Sequence, residues 1–231
     1  MKFLKFSITS LILGLILLIV PTSVFASSET DLDDMLSQDE INAILDRSNF
    51  SNIDNQRAAT VAEFELIVNK SLEELEENPA KEVDLTKILE ELNLTDIAIQ
   101  EDIPTDNVGI MSMALGAGNL GFQNFYRNKT NFEAQAHVQS TIPFTTIDQI
   151  GGNIKGWSLS PGANQWILMF SEPFNEANVK YGITKVSGLK SVAHFGNPAK
   201  MVIEAVIRDG KVIDTASKGI VSQVNGTFYY E

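Results

Sequence analysis

Residues 201–222, MVIEAVIRDGKVIDTASKGIVS, constrain the fold more than any other stretch of the chain. Two apolar, β-branched runs flank Asp209-Gly210. Runs of this kind around such a dipeptide form a tight antiparallel hairpin, because few residues accept the positive φ that closes the turn. A type I′ turn centred on Asp209 and Gly210 would pair Arg208 with Lys211, Ile207 with Val212 and Val206 with Ile213. The rival is a three-residue loop with Gly210 as a bulge. It sets Ile207 against Lys211 and Glu204 against Asp214, a like-charge pair that costs stability. The two-residue loop is the expectation.

The period of two extends upstream. Phe132, Ala134, Ala136 and Val138 alternate with Glu133, Gln135, His137 and Gln139, the pattern of a half-buried strand. Shorter strands are predicted at 149–154, 156–160, 165–170, 179–186 and 227–230. Pro161-Gly162, Glu172-Pro173, Ser187-Gly188, Gly196-Asn197-Pro198 and Asn225-Gly226 punctuate them. Many short strands between Gly and Pro turns predict an antiparallel β-sandwich or a partly open β-barrel over residues 106–231.

The chain before this region differs in character. Residues 27–102 hold 21 Asp and Glu against five Lys and Arg, a balance of −16 that makes this segment the source of the chain's net charge of −13. The segment is nonetheless patterned as helix. Ser37 and Glu40 have capping-box spacing, followed by Ile41, Ile44 and Leu45. Ser51 to Asp54 repeats the S-x-x-D form. Val61, Phe64, Val68, Leu72 and Leu75 then recur at helical spacing until Asn78-Pro79. Asp84 is placed to cap a third helix bearing Leu85, Ile88, Leu89 and Leu92. The fold class expected is therefore α+β, with an acidic amphipathic helical segment at 27–105 before a β-rich region at 106–231. Pro104 marks the boundary, since it drives Ile103 out of helical geometry.

The opening residues read as a signal peptide: basic Lys2 and Lys5, an apolar run over 8–20, and Val24-Phe25-Ala26 as a cleavage site. Cleavage near Ala26 would send the protein out of the cell, leaving the uncleaved signal peptide as its one membrane contact. With no cysteine, an exported chain must be held by its core rather than by disulfides.

Chemistry is sparsely signalled. His137 and His194 have no partner at metal-ligand spacing. His137 lies on the polar face of its strand, where a solvated side chain is expected. Gly156-Trp157-Ser158-Leu159-Ser160 misses the nucleophile-elbow pattern by its last residue. Gly116-Ala117-Gly118-Asn119-Leu120-Gly121 matches the dinucleotide fingerprint in form, yet neither the helix nor the distant acid it requires follows. No catalytic, cofactor-binding or metal-ligating residue is therefore assigned. A net negative charge without a basic patch disfavours nucleic acid. The aromatic residues Trp157, Trp166, Tyr229 and Tyr230 are the residues expected to contact a ligand: Trp157 and Trp166 flank a loop, and adjacent Tyr229 and Tyr230 must face opposite ways. The sequence points to a non-enzymatic extracellular binding protein whose partner is a protein, a glycan or another cell-surface ligand. The alternative is a secreted antimicrobial or toxin-like precursor in which the acidic segment is a pro-region.

Overall fold

A computed structural model describes residues 35–48, 56–101, 118–143 and 145–230. The expected signal peptide, the Ser51–Asp54 spacing and the Pro104 boundary lie outside them. The described chain is mostly antiparallel β, with a curled, half-barrel sheet and a few helices.

Helices α1 (Gln38–Arg47), α2 (Val61–Glu77) and α3 (Leu85–Glu91) come first. Ser37 and Glu40 form a reciprocal capping box on α1. Thr60 and Glu63 form the same device on α2, a T-x-x-E signal absent from the sequence reading. Asp84 caps α3, accepting from the Lys87 amide. The buried face of α2 is Phe64, Ile67, Val68 and Ser71. It is rotated from the expected stripe, since Val61 and Leu72 are exposed.

Ten strands follow among the described residues: β1 (Ile99–Glu101), β2 (Gly118–Arg127), β3 (Asn131–Ser140), β4 (Thr146–Leu159), β5 (Gln165–Lys180), β6 (Gly182–Lys185), β7 (Lys190–Ala193), β8 (Ala199–Asp209), β9 (Val212–Ser222) and β10 (Phe228–Tyr230). The large sheet runs β1-β5-β4-β8-β9-β10, and the small one runs β2-β3-β6, with β7 also paired to β3. Two expected short strands fuse into β4. Likewise β5 continues through Glu172-Pro173, which the sequence had suggested as a break. β1 pairs with β5 only over Gln165–Ile167, so Pro173 lies outside that pairing, where a residue without an N–H fits.

The hairpin forms with a shifted register. Asp209 pairs with Val212, Arg208 with Ile213 and Ile207 with Asp214, so the loop is Gly210-Lys211 and both expected registers are corrected. Gly210 has φ +59°, while Asp209 stays out of the left-handed region. Glycine at the first loop position is what a type II′ turn demands. The Gly210 amide also donates to Asp148 Oδ2 at 2.7 Å, tying the turn to β4. In this register Glu204 faces Ser217, which removes the like-charge conflict.

The main core lies between the sheets. Leu120, Phe122, Phe132, Ala134, Ala136 and Val138 from the small sheet meet Ile147, Ile150, Ile154, Met201, Ile203 and Ile220 from the large one. At ~25 cal/mol per Å² of buried apolar surface, this apolar layer supplies the main drive to fold in a chain without disulfides.

Candidate functional site

Residues paired across antiparallel strands share a face, so the register sorts each side chain to the core or to an outer surface. The outer face of the large sheet carries Gln149, Gly151, Asn153, Lys155 and Trp157 on β4, and Lys200, Val202, Glu204 and Val206 on β8. Helix α1 covers part of it. Ile41 and Leu45 of α1 pack on Val206. Gly151 makes room for them: a Cβ there would lie 2.4 Å from the Ile41 Cδ1. Gln149 accepts from the Leu36 amide at 2.9 Å and donates to the Leu36 carbonyl at 2.8 Å. Farther along, Trp157, Trp166 and Leu168 cluster with Ala98 and Val221.

This placement corrects the expectation for two of the four ligand-contact aromatics. Trp157 is 1% exposed and Trp166 3%, so both are core residues. Ala98 and Ala58, distant in sequence, pack in the same cluster, and β1 pairs with β5 alongside Trp166. The Lys200 Nζ sits 4.4 Å from the Trp166 ring centroid. Lys155 Nζ and Glu204 are also buried here, at 2.7 Å from each other.

The outer face of the small sheet is open. Glu133, Gln135, His137 and Gln139 of β3 are half-buried, in strict alternation with the core. Opposite them on β2 lie Tyr126, Gln123, Gly121 and Asn119. Lys185 and Ile183 of β6 flank His137 and Gln139. The β2–β3 register slips between Gln123 and Tyr126, a bulge in which Asn124 takes φ +54°. Asn is among the few non-glycine residues that accept this geometry.

The bulge organises an amide cluster. Gln135 Oε1 accepts from Gln123 Nε2 at 3.1 Å and from Asn124 Nδ2 at 3.2 Å. Gln135 Nε2 in turn donates to the Ser187 carbonyl at 3.0 Å, which fixes the amide's orientation. Tyr126, just past the bulge, is 58% exposed. Beside the cluster the His137 ring lies over Gly121, where a Cβ would come within 2.7 Å of two ring atoms. Burial lowers the His137 pKa from its ordinary value, so the imidazole is neutral at neutral pH. Its Nδ1 is buried with no hydrogen-bond partner. His137 is thus wedged against the sheet rather than fully solvated.

Of the remaining expected residues, Tyr229 is exposed on β10, its hydroxyl accepting from Gln223 Nε2 at 2.8 Å. Tyr230 pairs through its backbone with Ile220. Both residues lie on β10 of the large sheet, and the amide cluster is on the small sheet. Ser158 is buried and its hydroxyl has no hydrogen-bond partner. A strand, β2, begins at Gly118 within the glycine-rich stretch. Among the described residues no group of three or more His, Asp or Glu is placed to hold a metal ion. Tyr126, Asn124 and Gln135 were missed as site residues. Their signal was the lapse of alternation at Gln123-Asn124-Phe125-Tyr126, the sequence trace of a bulge. No family model, curated protein or solved structure matches the chain.

Proposed function

We propose that this is an exported, non-enzymatic binding protein whose β-sandwich-like body presents the open face of its small sheet to an extracellular glycan. One observation carries the reading: the β2 bulge holds Asn124 in a left-handed conformation and sets its amide on Gln135, with Tyr126 exposed beside them. Bulges and sparsely populated backbone conformations concentrate where a side chain is aimed at a partner. Oriented amides offer donors and acceptors without net charge, which suits a hydroxyl-rich ligand, and an exposed tyrosine ring supplies a stacking surface.

The helical segment supports this reading over the pro-region alternative. Phe64, Ile67, Leu85 and Ile88 share a cluster with Ile167 of β5, and β1 extends the large sheet. A segment built into the sheet in this way serves the working protein. Titration calorimetry of the secreted chain against a panel of neutral polysaccharides tests the proposal. Binding should be weakened at least tenfold by Tyr126→Ala and by Gln135→Ala, and unchanged by Leu66→Ser on the exposed side of α2. Absence of binding across the panel, or equal affinity for all three variants, would overturn it. Mass spectrometry of the secreted protein should find a chain beginning near Ser27. A start near residues 103–109 would favour the precursor.

A further inference from the structure

His194 follows directly on β7 and is fully buried. Its Nδ1 accepts the Gly196 amide at 2.8 Å and lies 3.2 Å from Arg127 Nη2. An imidazole nitrogen facing two donors must be unprotonated, which puts the ring proton on Nε2. That Nε2 is buried without a hydrogen-bond partner. Arg127, at the end of β2, also donates to the Ser222 carbonyl at 3.0 Å, to Ser222 Oγ at 3.2 Å and to the Asn197 carbonyl at 2.7 Å. One guanidinium therefore ties the small sheet to β9 of the large sheet and to the turn before β8.

The turn itself is held under strain. Phe195 has φ +44° and Gly196 φ +92°, and a non-glycine residue in this region costs free energy unless its surroundings hold it there. The bond from the Gly196 amide back to His194 is one restraint. The packing of Phe195 on Phe64 of α2, at 5.9 Å between ring centres, is another.

We infer that Arg127 and His194 form an acid-opened latch across the seam between the two sheets. A proton on Nδ1 turns the ring from acceptor to donor, sets it against the Gly196 amide and Arg127, and leaves two cations side by side. The groups around the ring do not offset this. Burial is the largest influence lowering the His194 pKa, and Arg127 from β2 acts in the same direction. The backbone of Asn131 and Asn128 favours the charged ring to a lesser degree. Lys129 in that same turn is exposed, and Ser222 and Asn197 are uncharged. No carboxylate among the described residues acts on His194.

The sign follows from linkage. An unfolded histidine titrates at about 6.5, and His194 in the fold titrates lower. Between those values the unfolded or opened state binds more protons, so the latch is at full strength above about pH 6.5 and weakens as the pH falls below it. His137 shifts in the same direction and must be separated by mutation.

Amide exchange of the mature chain, corrected for the intrinsic pH dependence, tests the inference. Between pH 6.5 and 5.5, peptides spanning 127–131 and 194–197 should lose protection together by up to about tenfold, the limit for one linked proton over one pH unit. Peptides around Ile203, central in β8, should lose less. His194→Gln should abolish this local response, and His137→Gln should preserve it. Uniform loss of protection, or a response that survives in His194→Gln, would overturn the latch. If His194→Gln does not fold, imidazole NMR of the unaltered chain decides. Nδ1 should be unprotonated at neutral pH with titration below about 6.5, and titration at or above that value would contradict the inference.

Discussion

The two sheets turn the same alternating pattern to opposite ends. On the large sheet the outer residues Trp157, Lys155, Glu204 and Val206 are buried, with α1 packed on Val206 and with Ala58 and Ala98 clustered against the tryptophans. On the small sheet the outer residues Gln135, His137 and Gln139 stay half-exposed. Strand period alone cannot distinguish these cases, since both alternate. What differs is whether another element has an apolar face to place there. Helix α1 has one, and it places Ile41 and Leu45 on Val206 of the large sheet. The small sheet is left as the open surface, and its polar outer residues match that fate.

The sharpest way to break this comparison is to remove one charge from each face. Lys155→Met removes the buried ammonium 2.7 Å from the Glu204 carboxylate and should destabilise the protein by about 3–5 kcal/mol in urea unfolding. Adding Glu204→Leu should recover much of the loss, because replacing both ions with apolar groups avoids the uncompensated charge. Lys185→Ala on the open face should cost no more than about 0.5 kcal/mol. Similar losses for Lys155→Met and Lys185→Ala would mean that the large sheet's outer face is not covered.

Backbone geometry gives an intermediate effect. Asn124→Val should cost about 1–2 kcal/mol, because a β-branched residue resists the left-handed region by about that much. Gly210→Val in the hairpin should lose a similar amount for the same reason, about 1–2 kcal/mol, with Gly210→Asn milder. On the proposed reading, Asn124→Val should also weaken glycan binding, and Gly210→Val should leave it intact. Urea unfolding and calorimetry of the same variants separate the two roles.

The smallest effect concerns Glu63 at the start of α2. The Arg57 guanidinium, with help from the Thr60 cap, holds its pKa down to about 2, from an ordinary value of 4.5. A depressed carboxylate contributes stability that is fully present above about pH 4.5 and is lost as the pH falls toward 2. Glu63→Gln should flatten the stability profile in that window. A slope unchanged in Glu63→Gln would assign the acid sensitivity to other carboxylates.

How far these features could be read from sequence depends on whether they are local. Ser37 with Glu40 and Asp84 before Leu85 were legible, because caps involve residues three apart. The hairpin was legible as a hairpin but not in register. The observed pairing of Ile207 with Asp214 differs by two residues from the expected pairing with Val212, so both put the same side chains on the same face. Alternation was blind to the choice, and the long-range bond from Gly210 to Asp148 favours the observed turn. The α2 stripe was rotated because Ile67 and Ser71 are buried by contacts outside the helix, among them Ser71 Oγ against Ser160 Oγ at 3.1 Å. Trp157 and Trp166 looked available for a ligand because the elements above them lie dozens of residues away in sequence. The Asn124 bulge left only a break in period.

The central claim is that one sheet has its outer face covered while the other keeps an open face, and the chain's two tryptophans report on the covered side. Acrylamide quenching of the native chain is therefore the most direct measurement. With Trp157 and Trp166 buried beneath other elements, emission should be blue-shifted and quenching weak, rising sharply only on unfolding in urea. Native quenching close to that of the unfolded chain would show the large sheet's outer face open to water, and the contrast between the two sheets would fail.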